Sequence, residues 1–129
     1  MPMLKVDIIK GRSNEEVHLL LDTIHGAMVE AFQVPDRDRY QILNEHEPSH
    51  MIIQDTGLGF ERSADVVVIT AVSRPRSQEM KTRFYALLAE RLKDNCGIEP
   101  NDLMVSIVIN DDEDWSFGFG RAQFITGEL

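Results

Sequence analysis

Cysteine, long apolar runs and clustered positive charge are all scarce in this sequence. Cys96 is the one cysteine among 129 residues, so no disulfide can form within the chain, and its place at an apolar helical end predicts a buried, inert thiol. No apolar run approaches the ~20 residues of a membrane span, and the N-terminus lacks the basic and apolar regions of a secretory signal. We therefore expect a cytoplasmic protein that does not enter a membrane.

The charge balance narrows the range of partners. The formal net charge is −9, and the 13 Lys and Arg residues are not gathered into a run, which argues against nucleic acid and against an acidic membrane surface. A local pair of arginines can still bind a small anion, because screening limits remote charges to a reach of about 8 Å. The composition, 43% hydrophobic and 27% charged, is typical of one globular domain, which we place at residues 1–129.

Hydrophobic periodicity predicts strands and helices in alternation. Two helices have clear start signals, Ser13 with Glu16 three residues later and Ser77, and Gly97 is typical of a helix stop. The predicted strands are 3–9, 40–44, 66–72 and 103–109, and the predicted helices run from 13 to 32 and from 77 to 96.

The two halves of the chain repeat. A shift of 64 residues without a gap places Arg12-Ser13 on Arg76-Ser77 and Asp38 on Asp102. The matches fall at the helix caps and at the turn before a strand, so we interpret them as two βαβ units. The first unit is expected at about 3–46, the second at about 66–110, and a C-terminal hairpin or tail at 111–129.

Two segments give weaker signals. Met51–Ile53 favours a short strand, and the alternation of aromatic and small residues over 115–124 favours a hairpin or ribbon. On such a strand Trp115, Phe117 and Phe119 would share one face, a pattern that is more often core or subunit packing than a ligand contact.

The βαβ arrangement brings four distant groups to one end of the sheet. Parallel strands of a unit start at the same end, so Asp38, just before the second strand, is expected near Pro2. If the first strands of the two units are adjacent and antiparallel, Arg74 and Arg76 at the end of the third strand lie there too. Pro2 has a reactive secondary amine once Met1 is removed. Each group alone fits a turn cap or a surface ion pair, but their convergence predicts an active site.

The histidines do not form a convincing metal site. His46 and His50 are four residues apart, but Pro48 disfavours the helix that would bring both imidazoles to one face. We interpret these two, and His18 and His25, as surface or core histidines, and predict no metal site.

Four motifs span nearly the whole chain. They are the strand that begins at Pro2, Pro-Asp-Arg-Asp-Arg-Tyr-Gln-Ile at 35–42, Ser-Arg-Pro-Arg-Ser-Gln-Glu at 73–79, and the aromatic segment 110–124. Together they resemble the tautomerase superfamily, and within it the malonate semialdehyde decarboxylases. The resemblance implies an α/β (α+β) fold in which two pseudo-symmetric βαβ units form a four-stranded mixed sheet with two helices on one face. It also implies a homotrimer and no cofactor or metal.

The resemblance assigns a role to each residue that converges at the sheet end. Pro2 matches the catalytic proline, Asp38 the active-site aspartate, and Arg74 and Arg76 the two active-site arginines. Three aromatic residues match the apolar wall of the substrate pocket, namely Trp115, Phe117 and Phe124.

The expected reaction is decarboxylation of a small 3-oxo acid, malonate semialdehyde, to acetaldehyde and CO2. The arginines would hold the carboxylate while a cationic Pro2 stabilises the charge that develops on the carbonyl oxygen. A neutral Pro2 would abstract an α-proton, so keto-enol tautomerisation of a 2-oxo acid such as phenylpyruvate is the alternative. A non-catalytic trimeric binding protein is a second alternative. The sequence leaves the physiological substrate and the balance between the two activities open.

Overall fold

The computed structural model describes residues 2–129. Four strands and three α-helices make up the regular structure of this part of the chain. In chain order they are β1 (Met3–Ile9), α1 (Asn14–Phe32), β2 (Gln41–His46), β3 (Val67–Ser73), α2 (Gln78–Cys96), β4 (Leu103–Ile109) and α3 (Gln123–Thr126). The long elements confirm the predicted ones to within about two residues at each end.

Both long helices begin where the sequence indicates. The Ser13 hydroxyl accepts a hydrogen bond from the backbone of Glu16, whose side chain accepts one from the Ser13 backbone, so α1 starts with a complete capping box. At the start of α2 the Ser77 hydroxyl accepts a hydrogen bond from the Met80 amide, and Gly97 ends the helix with a φ of 67°. Cys96, in the last turn, is half-buried rather than fully buried as predicted, with its sulfur 3.7 Å from the Thr23 hydroxyl.

The sheet has the strand order β2-β1-β3-β4. β1 is parallel to β2 and antiparallel to β3, and β3 is parallel to β4. The first strands of the two units are therefore adjacent and antiparallel, and the predicted mixed sheet is confirmed. The element bounds follow the 64-residue offset of the sequence, since β1 and β3 begin at Met3 and Val67 and the two helices at Asn14 and Gln78.

One face of the sheet carries the core. Leu4, Val6 and Ile8 of β1 pack with buried side chains of α1 and α2, and the Phe32 and Phe84 rings meet between the helices at 4.9 Å. This confirms that both long helices cover the same face. No helix within residues 2–129 is long and apolar enough to span a membrane.

The opposite face is not covered by α1 or α2, and at one end of it Met3 and Val72 line a cavity together with Trp115 and Phe117. Alternation along the strands places Met3, Val72 and Val108 on this face, since they are paired across the sheet. Ile42 and Val108 are each about half exposed, at 50% and 51%. We call this surface the open face.

Met51–Ile53 is not a strand, contrary to the prediction. The segment follows a single 3₁₀ turn at Pro48–His50 and has no pairing partner within the described chain. Ile52 is 77% exposed, so the apolar run that suggested a strand lies on the surface of a loop. The Asp55 carboxylate organises the turn that follows by accepting from the backbone of Gly59 at 2.7 Å.

The tail is neither a hairpin nor a ribbon. Its one ladder contact among the described residues is an isolated bridge between Gly118 and Arg121, and α3 follows at once. The backbone has positive φ at Gly118, Phe119 and Gly120, which breaks the strand alternation. Phe119 is consequently 91% exposed and does not share a face with Trp115 and Phe117.

Candidate active site

The start of β1 lies between the start of β2 and the end of β3. Met3 pairs with Val72, and the Leu4 amide donates to the Tyr40 carbonyl at 2.9 Å. Pro2, which precedes β1, is buried. The convergence inferred from topology is therefore present, because the segments that carry Asp38 and the two arginines both end beside Pro2.

Asp38 lies in the turn between α1 and β2. Its amide donates to the Pro35 carbonyl at 3.0 Å, and the residue is only 7% exposed. Burial raises the pKa of its carboxyl, while the positive charges of Arg76, His25 and Arg74 act in the opposite direction. The Oδ2 atom is buried and has no hydrogen-bond partner, so Asp38 has an unused acceptor.

Arg74 is held on two sides. Its Nη1 donates to the Asp112 carboxylate at 2.9 Å, and its guanidinium carbon lies 4.0 Å from the centre of the Phe124 ring. The Nε atom is buried without a partner. Because Nη1 is occupied, the edge formed by Nε and Nη2 remains for a planar anion.

Arg76 is held differently but also keeps a free donor. Its Nε donates to the Ser73 hydroxyl at 3.2 Å, and its guanidinium carbon lies 5.2 Å from the Phe32 ring centre. Burial, and then the neighbouring charge of Arg74, lower the pKa of Arg76, and Asp38 raises it. Its Nη2 is buried and unpartnered.

The unpartnered buried polar atoms of the described side chains gather at this end of the molecule. There are four of them, His25 Nδ1, Asp38 Oδ2, Arg74 Nε and Arg76 Nη2. Buried polar groups in folded proteins almost always have partners, so such a cluster needs an explanation. The two guanidinium donors fit a carboxylate, and the Asp38 acceptor fits a protonated amine such as that of a free Pro2.

The aromatic residues form a continuous wall beside these groups. Phe117 is central: it stacks on Trp115 at 5.2 Å and on Tyr40 at 5.7 Å, and it meets Phe124 edge to face at 5.4 Å. A cavity of about 350 Å³ lies against Tyr40, Trp115 and Phe117. The three predicted wall residues are thus brought together by the structure.

A buried glutamine fixes this wall. The Gln123 side chain accepts from the Phe117 amide at 2.9 Å and donates to the Gly118 carbonyl at 2.9 Å. It thereby ties α3, which carries Phe124, to the loop that carries Phe117. Gln123 and Tyr40 both lie within motifs quoted from the sequence, but nothing in their spacing indicated these contacts.

The internal repeat supplies a comparison at the opposite end of the sheet. Asp102, 64 residues after Asp38, is also buried, but its two carboxylate oxygens accept from the amide and hydroxyl of Ser63 at 2.7 and 2.5 Å. Val66, one residue before β3, stands where Pro2 stands before β1. The second unit therefore has a satisfied structural aspartate where the first has an unsatisfied one.

The two histidines considered as metal ligands and interpreted as surface or core residues, His46 and His50, lie in different elements, β2 and the 3₁₀ turn that follows it. His46 Nε2 lies 2.7 Å from Asp7 Oδ1 on the open face. Within residues 2–129 no group of three or more His, Cys, Asp or Glu side chains is arranged to hold a metal ion.

Comparison with known proteins identifies the class. Two family models, each described as tautomerase enzyme, match residues 38–118 and 2–61. The chain belongs to the tautomerase superfamily. It is 56% identical over 129 residues to probable tautomerase YrdN of Bacillus subtilis (strain 168), with all of both chains covered. It is 33% identical over 126 residues to probable tautomerase YusQ of the same organism, covering 97% of this chain and 99% of the relative.

Two solved structures that are similar to this chain are of malonate semialdehyde decarboxylases. The chain is 53% identical to a malonate semialdehyde decarboxylase, with a TM-score of 0.96 over 98% of each chain. It is 42% identical to FG41 malonate semialdehyde decarboxylase inhibited by 3-bromopropiolate, with a TM-score of 0.94 over 98% of this chain and 97% of the other. The resemblance inferred from the motifs is confirmed.

Proposed function

We propose that this protein decarboxylates malonate semialdehyde, or a closely related small 3-oxo acid, without a cofactor. The observation that carries the proposal is the set of unpartnered buried atoms on Asp38, Arg74 and Arg76, which complements one carboxylate and one cationic amine. The similarity to two solved malonate semialdehyde decarboxylases supports the choice of substrate.

The arginines bind and orient the substrate carboxylate in this proposal. Arg74 offers the edge of Nε and Nη2, and Arg76 offers Nη2. Decarboxylation is fastest when the breaking C–C bond is perpendicular to the carbonyl plane, since its electron pair then flows into the developing enolate. Two fixed forks hold a carboxylate out of that plane better than mobile ammonium groups do.

Pro2 stabilises the enolate oxygen. With Met1 removed, its secondary amine is protonated beside the Asp38 carboxylate and hydrogen-bonds to the aldehyde oxygen, or condenses with the aldehyde to an iminium. As the C–C bond breaks, CO2 leaves and the electron pair moves to the enolate or enamine. Protonation of the enolate at carbon gives acetaldehyde. On the iminium route, condensation of the amine with the aldehyde releases one water, and after the enamine is protonated at carbon a water molecule hydrolyses the resulting iminium to acetaldehyde and the free amine of Pro2. Met1 itself lies outside the described residues.

The aromatic wall completes the site. Trp115, Phe117 and Phe124 present apolar surface next to the carboxylate, and an apolar surrounding favours the loss of charge as CO2 forms. A carboxylate held by arginines on one side and by aromatic rings on the other is destabilised in the ground state while it stays correctly oriented.

We propose further that the subunit is a single domain over 1–129 and assembles as a cytoplasmic homotrimer. Its open face presents Ile42, Met104 and Val108, which are between 42% and 51% exposed, and assembly through this face would cover them. A solved structure with the same fold, fused 4-OT, is described as a symmetric trimer. It is 20% identical to this chain, with a TM-score of 0.79 over 97% of this chain and 98% of that chain. The net charge of −9 gives no basis for a nucleic-acid partner.

Keto-enol tautomerisation of a 2-oxo acid is the second candidate. Its support is that two relatives, at 56% and 33% identity, are described as probable tautomerases. The same residues would serve, with Pro2 neutral and acting as the base. Hydratase activity, which is associated with the solved decarboxylase, needs the same cationic proline.

The test is to follow malonate semialdehyde and, separately, enol-phenylpyruvate by NMR, with the N-terminal residue verified by mass spectrometry. Acetaldehyde formation that is lost in Pro2→Ala supports decarboxylation, whereas ketonisation alone would select the tautomerase.

Insertion of a glutamate between Met1 and Pro2 provides a second check, because the proline nitrogen is then an amide. Normal turnover by that variant contradicts both proline mechanisms. Turnover of neither substrate, with an unchanged cellular role in Arg74→Ala, favours the non-catalytic binding protein.

A further inference from the structure

Ser73, the last residue of β3, is a buried polar residue to which the proposed mechanism gives no role. Its exposed fraction is 0%, and the alternation along β3 places it on the core face with Ile69 and Ala71. Burial of a hydroxyl costs free energy unless the hydroxyl is hydrogen-bonded. A serine at this core position therefore needs an explanation other than packing.

The hydrogen bonds of Ser73 fix the direction of its hydroxyl. The O–H group donates to the Arg74 carbonyl at 2.8 Å, and the oxygen accepts from Arg76 Nε at 3.2 Å. A hydroxyl has one proton, and a guanidinium has donors only. Because the proton of Ser73 is bound by the carbonyl, the lone pairs of its oxygen are left for the guanidinium of Arg76.

The backbone of Ser73 is fixed as well. Its carbonyl accepts from the Asn110 amide at 2.8 Å, and Asn110 Oδ1 accepts from Trp115 Nε1 at 2.8 Å. The residue that holds Arg76 is thus tied to the segment that carries the aromatic wall. A hydrogen bond orients a side chain precisely only when its partner is itself held in place.

The guanidinium of Arg76 has few other restraints. Its other described contact is with the Phe32 ring, whose centre lies 5.2 Å from the guanidinium carbon. An aromatic face attracts a cation without fixing the direction of its N–H groups, whereas a hydrogen bond to Nε does fix that direction. Since the guanidinium is planar, the bond to Ser73 also decides where the buried, unpartnered Nη2 points.

The internal repeat shows what the connection looks like without this hydroxyl. Ile9 stands 64 residues before Ser73, at the end of β1, and α1 still begins with a complete capping box. Arg12, the counterpart of Arg76, donates instead to the Asp65 carbonyl at 2.7 Å. The passage from strand to helix in this fold therefore forms with an apolar residue at the position of Ser73.

We infer that Ser73 is a positioning residue for the reaction, whose buried hydroxyl holds Nε of Arg76 so that Nη2 is directed at the substrate carboxylate. The effect on turnover rests on the proposed function, whereas the restraint of Arg76 by Ser73 does not.

The first experiment separates the hydroxyl from the bulk of the side chain. Ser73→Thr and Ser73→Val add the same volume to the core, so the difference between them reports the hydroxyl alone. We expect kcat/KM for malonate semialdehyde to be about 10-fold lower in Ser73→Val than in Ser73→Thr, with both variants folded by thermal unfolding. Equal values in the two variants overturn the inference.

A matched control and a double variant exclude a general loss of stability. Ser63→Ala removes the hydroxyl that donates to Asp102 at the opposite end of the sheet, and it should leave kcat/KM within about 2-fold of the wild type. Ser73→Ala should lower kcat/KM by about 10-fold but have no further effect in an Arg76→Lys background, which has no guanidinium to orient. A loss that persists in that background shows a purely structural role and contradicts the inference.

The second experiment needs no turnover. The Arg76 Nε–H correlation, assigned by its disappearance in Arg76→Lys, is followed by NMR for its rate of hydrogen exchange with water. We expect exchange to be at least about 10-fold faster in Ser73→Ala than in the wild type, and to stay slow in Ser73→Thr. Unchanged exchange in Ser73→Ala would show that Ser73 does not restrain the guanidinium.

The two proposals fail in different ways. If the wild type does not decarboxylate malonate semialdehyde, the proposed function is wrong, but the exchange rates still test the restraint of Arg76. If the wild type decarboxylates and neither the exchange rate nor the Thr and Val pair responds to the hydroxyl, the role of Ser73 is wrong and the function stands.

Discussion

The guanidinium of Arg74 lies over the Phe124 ring, with its central carbon 4.0 Å from the ring centre. The contact joins the end of β3 to the C-terminal helix α3, which are 50 residues apart in sequence. A cation over an aromatic face is stabilised by the ring quadrupole, and the ring also prevents the guanidinium from rotating. Phe124 is therefore both part of the apolar wall and a support for the arginine.

Replacing Phe124 tests this support. Phe124→Leu keeps an apolar side chain but removes the aromatic face, so Arg74 is expected to lose its fixed orientation. We expect kcat/KM for malonate semialdehyde to fall by about 10-fold, which corresponds to about 1.4 kcal/mol, mainly through a higher KM. Phe119→Leu is the matched control in the same tail, since Phe119 is 91% exposed. An equal loss in both variants would contradict a specific role for the Arg74 contact.

Arg76 is expected to need the planar guanidinium group, and not only a positive charge, to bind the substrate carboxylate. Arg76→Lys retains the positive charge but loses the planar guanidinium, of which Nε is held by Ser73 while Nη2 stays free. We expect kcat/KM to fall by about 100-fold, or about 2.7 kcal/mol. The control is Arg12→Lys, the equivalent position in the first unit, where Arg12 donates to the Asp65 carbonyl at the other end of the sheet. Steady-state kinetics of the two variants decide the point.

The ionised side chain of Asp38 is expected to lower the free energy of unfolding at pH values above its pKa. Burial raises the pKa of Asp38 in the folded state, so its favourable contribution is present below the unfolded value of about 3.9 and is lost as the pH rises through the folded value. Asp38→Asn cannot ionise. The Tm of Asp38→Asn, relative to that of the wild type, should therefore increase from pH 4 to pH 8. At pH 8 we expect a difference of about 4 °C, which corresponds to about 1 kcal/mol in a domain of this size.

Asp102→Asn is the matched control for that measurement. Asp102 accepts two hydrogen bonds from Ser63. Their disruption is expected to reduce the free energy of unfolding by about 1–3 kcal/mol, and so to lower Tm at both pH values. If Asp38→Asn also lowered Tm at pH 8, Asp38 would be a structural residue like its counterpart. Thermal unfolding of both variants across the pH range separates the two cases.

The open face should control assembly. Val108→Asp places a charge among apolar side chains that a partner subunit would cover, and burial of an unpaired charge is costly. Light scattering is expected to show three chains for the wild type and one for this variant. Leu19→Asp, on the exposed side of α1 at 46% exposure, should leave the mass unchanged. A trimer that survives Val108→Asp contradicts assembly through this face.

The sequence by itself determined the framework. Periodicity and caps defined both long helices and all four strands, because these signals depend on neighbours three or four residues away and on the local backbone. The ungapped 64-residue repeat and the rule that parallel strands share a starting end were enough to place Asp38 and Arg76 near Pro2. Where local chemistry is ambiguous, as at Met51–Ile53 and in the tail, the same approach was wrong.

Only the tertiary structure decided which of these residues have unused hydrogen-bonding capacity. Asp38 and Asp102 are the same residue type at equivalent positions of the repeat, yet one carboxylate is satisfied by Ser63 and the other has an unpartnered oxygen. That difference depends on side chains remote in sequence, as does the support of Arg74 by Phe124. Long-range packing sets these contacts, so no local pattern encodes them.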